Sequence, residues 1–156
     1  MSTSTNPQTQ PMKFRFDTTN VEWKNFVTEG CYYRILDVNV QARTADMLVK
    51  FEPGARCLNH RHVARTMSFV LEGDLHVIER TPDDNTRESI KPAGTFSADA
   101  TNEVHIEGGG DQGVVVYFSM RGDSDRIYDF VDEHFELKRA ITIQDFERDF
   151  QNWSSR

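Results

Sequence analysis

The stretch Gly54-Ala55-Arg56-Cys57-Leu58-Asn59-His60-Arg61-His62, with Gly73 eleven residues further on behind the run Thr66-Met67-Ser68-Phe69-Val70-Leu71-Glu72, decides how this chain is read. Side chains of an extended strand alternate between its two faces, so residues two apart point the same way. His60 and His62 therefore present two imidazoles side by side, a clamp for a borderline divalent cation. A His-x-His pair in a strand can equally be a polar outer face or a packed pair. Two imidazoles are not enough, because a stable site wants at least a third protein ligand. Cys57 stands an odd number of residues before His60, so a regular strand would turn its thiol away from the clamp. His76 and His134 read as surface histidines.

Around this stretch, short β-prone runs recur with turn chemistry between them: residues 31–38, 46–51, 57–62, 66–71, 74–79, 87–91, 104–107, 114–120 and 126–131. Pro53-Gly54, Glu72-Gly73-Asp74, Pro82-Asp83-Asp84-Asn85, Pro92-Ala93-Gly94 and Gly108-Gly109-Gly110 supply the breaks. Regularly spaced short strands predict an all-β sandwich or barrel. Only the end reads as helix: Thr142-Ile143-Gln144-Asp145 resembles a capping box, and Ile143, Phe146, Phe150 and Trp153 fall at helical spacing, one apolar stripe to lay on the β domain. Residues 1–12 are mostly Ser, Thr, Asn, Gln and Pro and read as a disordered tail. Structure is expected from near Phe14, with residues 13–156 forming a single domain and no internal repeat.

Bulk properties narrow the function. A chain of 156 residues can bury one good core. A net charge of −7 and a pI near 5.2, with basic residues scattered among acidic ones, leave no cationic stripe for nucleic acid. Apolar runs such as Val114-Val115-Val116-Tyr117-Phe118 are too short to span a membrane, and the polar N-terminus has no secretory signal, so a cytoplasmic protein is expected. In that compartment Cys31 and Cys57 are expected as reduced thiols.

Gly54, His60, His62 and Gly73 resemble the first motif of the cupin superfamily, G-x5-H-x-H-x(3,4)-E-x6-G, with Thr66 standing where that motif has its ligating glutamate. Pro92-Ala93-Gly94 resembles the start of the second motif, P-x-G-x2-H-x3-N. Ser97 occupies its histidine position, and His105 matches a variant in which that histidine comes later. The resemblance, over about two thirds of the chain from Val49 to Val131, is to the acetylacetone-cleaving dioxygenases and the related hydroxyketone dioxygenases. It implies a double-stranded β-helix, the jelly-roll or cupin barrel, with a C-terminal helix. It also implies one divalent metal on His60, His62 and His105, most readily Fe(II), with Zn, Ni or Mn as alternatives. Glu79, at the end of the strand after Gly73, stands as a candidate fourth ligand. Asp99 stands as a candidate for a carboxylate that orients a histidine from behind, as does Glu103. Three neutral imidazoles would leave the ion its full charge, which favours a small anionic chelating substrate such as the enolate of a β-dicarbonyl compound. The implied activity is metal-dependent cleavage of a carbon–carbon bond by dioxygen, in a homodimer. Two other classes stay open: a non-enzymatic metal-binding cupin sensor, and a zinc-site hydrolase or isomerase.

Overall fold

The computed structural model describes residues 17–81, 83–99 and 101–154; the segment 1–12 and the expected start near Phe14 lie outside the described residues. Ten strands precede one helix: β1 (Lys24–Asn25), β2 (Cys31–Asn39), β3 (Thr44–Phe51), β4 (His60–His62), β5 (Arg65–Arg80), β6 (Thr86–Pro92), β7 (Phe96–Asp99), β8 (Val104–Arg121), β9 (Arg126–Val131), β10 (Leu137–Thr142) and α1 (Ile143–Ser154). They hydrogen-bond in the order β1-β2-β3-β8-β4-β9-β10, while β5 pairs with β6, β7 and β8, all antiparallel. The result is the expected jelly-roll barrel, a curled antiparallel sheet with one C-terminal helix.

Binary alternation builds the core. Along β3, Ala45, Met47, Val49 and Phe51 are buried, and along β8, Val114, Val116, Phe118 and Met120 are buried opposite them. The helix forms as its sequence predicts. Thr142 N–H donates to Asp145 Oδ2 at 2.9 Å and Asp145 N–H donates back to Thr142 Oγ1 at 3.3 Å, the reciprocal capping box. Ile143, Phe146 and Trp153 are buried beneath α1, and the Trp153 indole meets the Tyr33 ring edge-on with centroids 5.1 Å apart. This contact seats the helix on β2.

Two of the expected breaks are continuous strand. The sequence around Glu72-Gly73-Asp74 and around Gly108-Gly109-Gly110 predicts turns, yet β5 and β8 run through both and pair with each other from Arg65 opposite Arg121 to Arg80 opposite Val104. The glycines here admit close backbone approach: a side chain on Gly109 would meet Glu52 O at 2.7 Å, and one on Gly108 would meet Ala55 O at 2.6 Å. Gly73 has a similar role with a positive φ of 70°, and a Cβ there would sit 2.0 Å from Gly113 O. The register shifts between Val70 and Glu72 and between Gly73 and Leu75 bend the strand at this crossing. β1, β7 and β10 are too short or too polar to stand out from sequence, and each forms because a neighbour offers it an edge.

The Gly73 crossing sets a prediction. Gly73→Ala combines left-handed backbone strain with overlap of a carbonyl and should destabilise the fold by more than about 2 kcal/mol. Gly54→Ala, where φ is 74° but no atom lies within 4 Å of the added Cβ, should cost only about 1 kcal/mol. Urea midpoints of the two variants would rank them.

Candidate metal centre

Strand parity aims the clamp inward. In β4, His60 and His62 are buried at 6% and 4% exposure, while Arg61 between them turns to the other face and pairs with Asp129 Oδ2 at 2.9 Å. β4 lies between β8 and β9, and in this register His60 stands directly opposite His105. Residues directly opposite on paired strands share a face, so His105 joins the clamp, and Glu107, two residues on along β8, follows it by the same alternation. Ring centroids lie 4.4 Å apart for His60 and His105, 5.1 Å for His62 and His105, and 5.2 Å for His60 and His62. One donor atom from each of His60, His62, His105 and Glu107 falls within 4.8 Å of the others, and all four residues are buried.

The outer nitrogen of each ring is tied down. His60 Nδ1 lies 2.8 Å from Leu58 O and His105 Nδ1 lies 3.2 Å from Glu103 O, so both donate to a backbone carbonyl two residues back. His62 Nδ1 lies 2.9 Å from Thr66 Oγ1, and the hydroxyl donates its own proton to Ala64 O at 3.1 Å, which leaves it an acceptor toward His62. All three rings thereby keep a proton on Nδ1 and turn Nε2 toward the cluster, the arrangement by which ligating histidines are oriented. Glu107 closes the set, with Oε2 3.4 Å from His60 Nε2 and Oε1 3.5 Å from His105 Nε2. His62 Nε2 is buried with no hydrogen-bond partner. A buried lone pair aimed into three other donors fits a divalent cation, and three imidazoles with a carboxylate suit Zn, Fe or a similar ion.

Electrostatics in the metal-free cluster follow from this packing. Burial works against a charged His60, but the Cys57 sulfur beside Nδ1 and the Glu107 carboxylate at Nε2 outweigh it and raise the ring to about 10. His62 is driven down to about 3 by burial and by the neighbouring His60 charge. Glu107 is held well below the usual carboxylate range in spite of its burial, because the His105 and His60 rings face its two oxygens. The cluster is thus an imidazolium–carboxylate pair beside a neutral His62.

The structure brings His60, His62 and His105 together as expected, but not the carboxylates expected with them. Glu79 stands opposite His105 in the pairing of β5 with β8, yet it lies outside the four-residue group, and Glu107 takes the place assigned to it. The signal for Glu107 was in the sequence as His105-x-Glu107 within the strand expected at 104–107, the same two-residue spacing as the His60-x-His62 clamp. The Asp99 side chain lies outside the described residues. Glu103 serves His105 through its carbonyl, and Thr66 holds His62 instead of leaving a gap. Cys57 corrects a parity argument: it precedes β4 instead of belonging to it, so it turns inward, its sulfur 3.5 Å from His60 Nδ1 and accepting Glu107 N–H at 3.2 Å. His134 is exposed, and the His76 ring lies beside Gly110, neither near the cluster.

Residues 11–125 match the family model described as the ChrR cupin-like domain. No curated protein matches the chain by sequence. Among solved structures, a Methylibium petroleiphilum PM1 protein provisionally described as an acetylacetone dioxygenase aligns with a TM-score of 0.67 at 19% identity, covering 90% of this chain and 96% of its own. The acetylacetone dioxygenase of Acinetobacter johnsonii aligns with a TM-score of 0.69 at 13% identity, over 97% of this chain and 99% of its own. An RmlC-like cupin protein of Ralstonia eutropha JMP134 gives 0.68 at 11%, over 92% and 88%. At such identities the likeness is one of fold.

Two outcomes follow from the cluster. His62 titrates at about 3 in the fold against about 6.5 in the unfolded chain, so its contribution is lost as pH falls below 6.5; His60, raised to about 10, loses its contribution as pH climbs from 6.5 towards 10. Metal-free protein should therefore melt highest near pH 6.5, and His60→Gln should flatten the alkaline limb of the melting profile. Thr66→Val keeps shape but strands the His62 Nδ1 proton, and should lower stability by about 1–3 kcal/mol in denaturant titration.

Proposed function

Because the chain belongs to the ChrR cupin-like domain family, we propose that it is a metal-dependent cupin dioxygenase whose His60, His62, His105 and Glu107 together hold one divalent ion, iron(II) foremost. The observation that supports this most directly is the convergence of three tautomer-fixed imidazoles and an ionised carboxylate in one buried cluster. When bound, iron(II) would supply Lewis acidity toward a chelating substrate and electrons toward dioxygen. Four protein donors leave room for both on an ion that takes six. The substrate class is a small β-dicarbonyl or hydroxyketone, cleaved at a carbon–carbon bond with both oxygen atoms entering the products.

The chain's own groups set the conditions. Glu107, held ionised, offsets one of the ion's two positive charges, so the site is less cationic than three histidines alone would make it. An enolate remains favoured, since one net charge persists inside a low-dielectric cavity. Phe118, Tyr128 and Phe130 wall the cluster with apolar surface. Burial pushes the Tyr128 phenol well above its ordinary range, so it stays a protonated hydrogen-bond donor. Before metal can bind, the proton shared by His60 and Glu107 must leave, so affinity should rise with pH. The reading includes a cytoplasmic homodimer.

Metal analysis tests the ligand set. Alanine at His60, His62 or His105 should abolish stoichiometric iron, and Glu107→Gln should weaken binding by more than about tenfold, the loss typical even of groups that only orient a ligand. Glu79→Gln should leave the metal content intact. Iron-loaded protein should then consume dioxygen with a member of a diketone and hydroxyaryl ketone panel. Stoichiometric iron with no oxygen uptake across the panel would overturn the dioxygenase reading in favour of a metal-binding sensor, and hydrolysis or isomerisation by the zinc form alone would favour the zinc-site reading, for which the donor set is also suited.

A further inference from the structure

The cavity at the cluster is only about 30 Å³, room for about one water molecule, and no organic chelator fits it. A second cavity of about 400 Å³ lies against β2, β9, β10 and α1, within the range of organic ligand pockets. The two share one wall, formed by Phe26, Met47, Tyr128 and Phe130. Three of these are fixed: Met47, Tyr128 and Phe130 are buried on strands, and Tyr128 is wedged edge-on against Phe130 at 5.4 Å and Phe146 at 6.1 Å. Phe26 is held differently. It follows the two-residue strand β1 and is half-buried, with its N–H on Cys31 O at 2.8 Å and its ring against Tyr33 at 5.2 Å. Of the wall it is the member that can swing without disturbing a strand.

The outer cavity also carries a chemical preference. Its floor is apolar, with Ile35, Ile141 and Phe146. Its two carboxylates are already engaged: Asp145 with Thr142 and Arg148, Asp149 with Tyr33 and Lys24. Arg139, opposite Phe130 in the pairing of β10 with β9, lines the same space and forms no ion pair with a described residue. A guanidinium over an apolar floor recognises a short hydrocarbon chain ending in a carboxylate.

We propose that the outer cavity is a substrate chamber continuous with the metal cluster when Phe26 moves aside, and that Arg139 selects chelating substrates whose tail ends in a carboxylate. This rests on the chelation reading above. The test uses cobalt(II)-loaded protein without oxygen, titrated with two diketones that share one chelating head: acetylacetone, and succinylacetone, in which one terminal methyl is extended to a two-methylene arm ending in a carboxylate. Cobalt absorption reports binding, and metal content is measured alongside.

Wild type should prefer succinylacetone by at least about tenfold, and Arg139→Gln, at an exposed position, should abolish that preference at unchanged cobalt content while Arg139→Lys retains part of it. Phe26→Ala should speed association of both diketones in stopped-flow mixing. Equal affinity for the two diketones in wild type, or a preference that survives Arg139→Gln, overturns the role of Arg139. Unchanged association rates in Phe26→Ala overturn the gate. Should neither diketone perturb the spectrum of fully loaded protein, the chelation reading itself fails and takes the chamber with it.

Discussion

His60 and His105 stand directly opposite each other where the three-residue strand β4 lies along β8, and everything at the site follows from that register. Paired residues share a face, so one imidazole from each strand arrives on the inside together, and the two-residue repeat of each strand then delivers His62 from one side and Glu107 from the other. A slip of β4 by one residue would send His60 and His62 outward, bring Arg61 in and leave His105 and Glu107 facing a cationic side chain. The register is held by β9 on the far side of β4 and by the outward Arg61–Asp129 pair, which lock the strand from the face opposite the site.

Burying three imidazoles and a carboxylate is expensive unless each polar atom is met. Here the demand is divided. The outer nitrogens are satisfied by the protein itself, through Leu58 O, Glu103 O and Thr66 Oγ1. The inner atoms are satisfied only partly, by His60 and Glu107 facing one another, while His62 Nε2 has no partner at all. Such a cluster is tuned less for the stability of the metal-free fold than for a cation at its centre. The exchange at Thr66 fits the same logic: a hydroxyl that orients a histidine stands where the cupin motif has a ligating carboxylate, and the carboxylate is supplied by the neighbouring strand instead.

The long strands β5 and β8 make this geometry affordable in a small chain. Each passes from one part of the barrel to another without a loop, bending where Gly73 and Gly113 cross too closely for a side chain. The rigid side of the barrel carries the donors, and the more loosely held side, where Phe26 follows a two-residue strand beneath α1, carries the larger cavity. Chemistry and access are thereby assigned to different parts of the sheet.

Much of this was legible in the chain. Alternation fixed strand faces for His60 and His62, the regular short strands gave the all-β class, and the capping box at Thr142 with the stripe Ile143, Phe146, Phe150 and Trp153 located the helix, because all of these are local rules; the barrel came from the motif resemblance. Glu107 obeyed the same local rule within the strand expected at 104–107, but alternation alone does not say which other strand that face meets, and only the pairing of β4 with β8 brings it to the clamp. Cys57 was misjudged for a reason no local rule can repair: parity says which face a residue takes within a strand, but where a strand begins is set by neighbours far away in sequence. Amino-acid order by itself determined the all-β class and the shared face of His60 and His62, and the motif resemblance added His105; the approach of Glu107, the tautomer of each ring and the wall that Phe26 shares between two cavities were decided only when non-local strand pairing brought separate segments into contact.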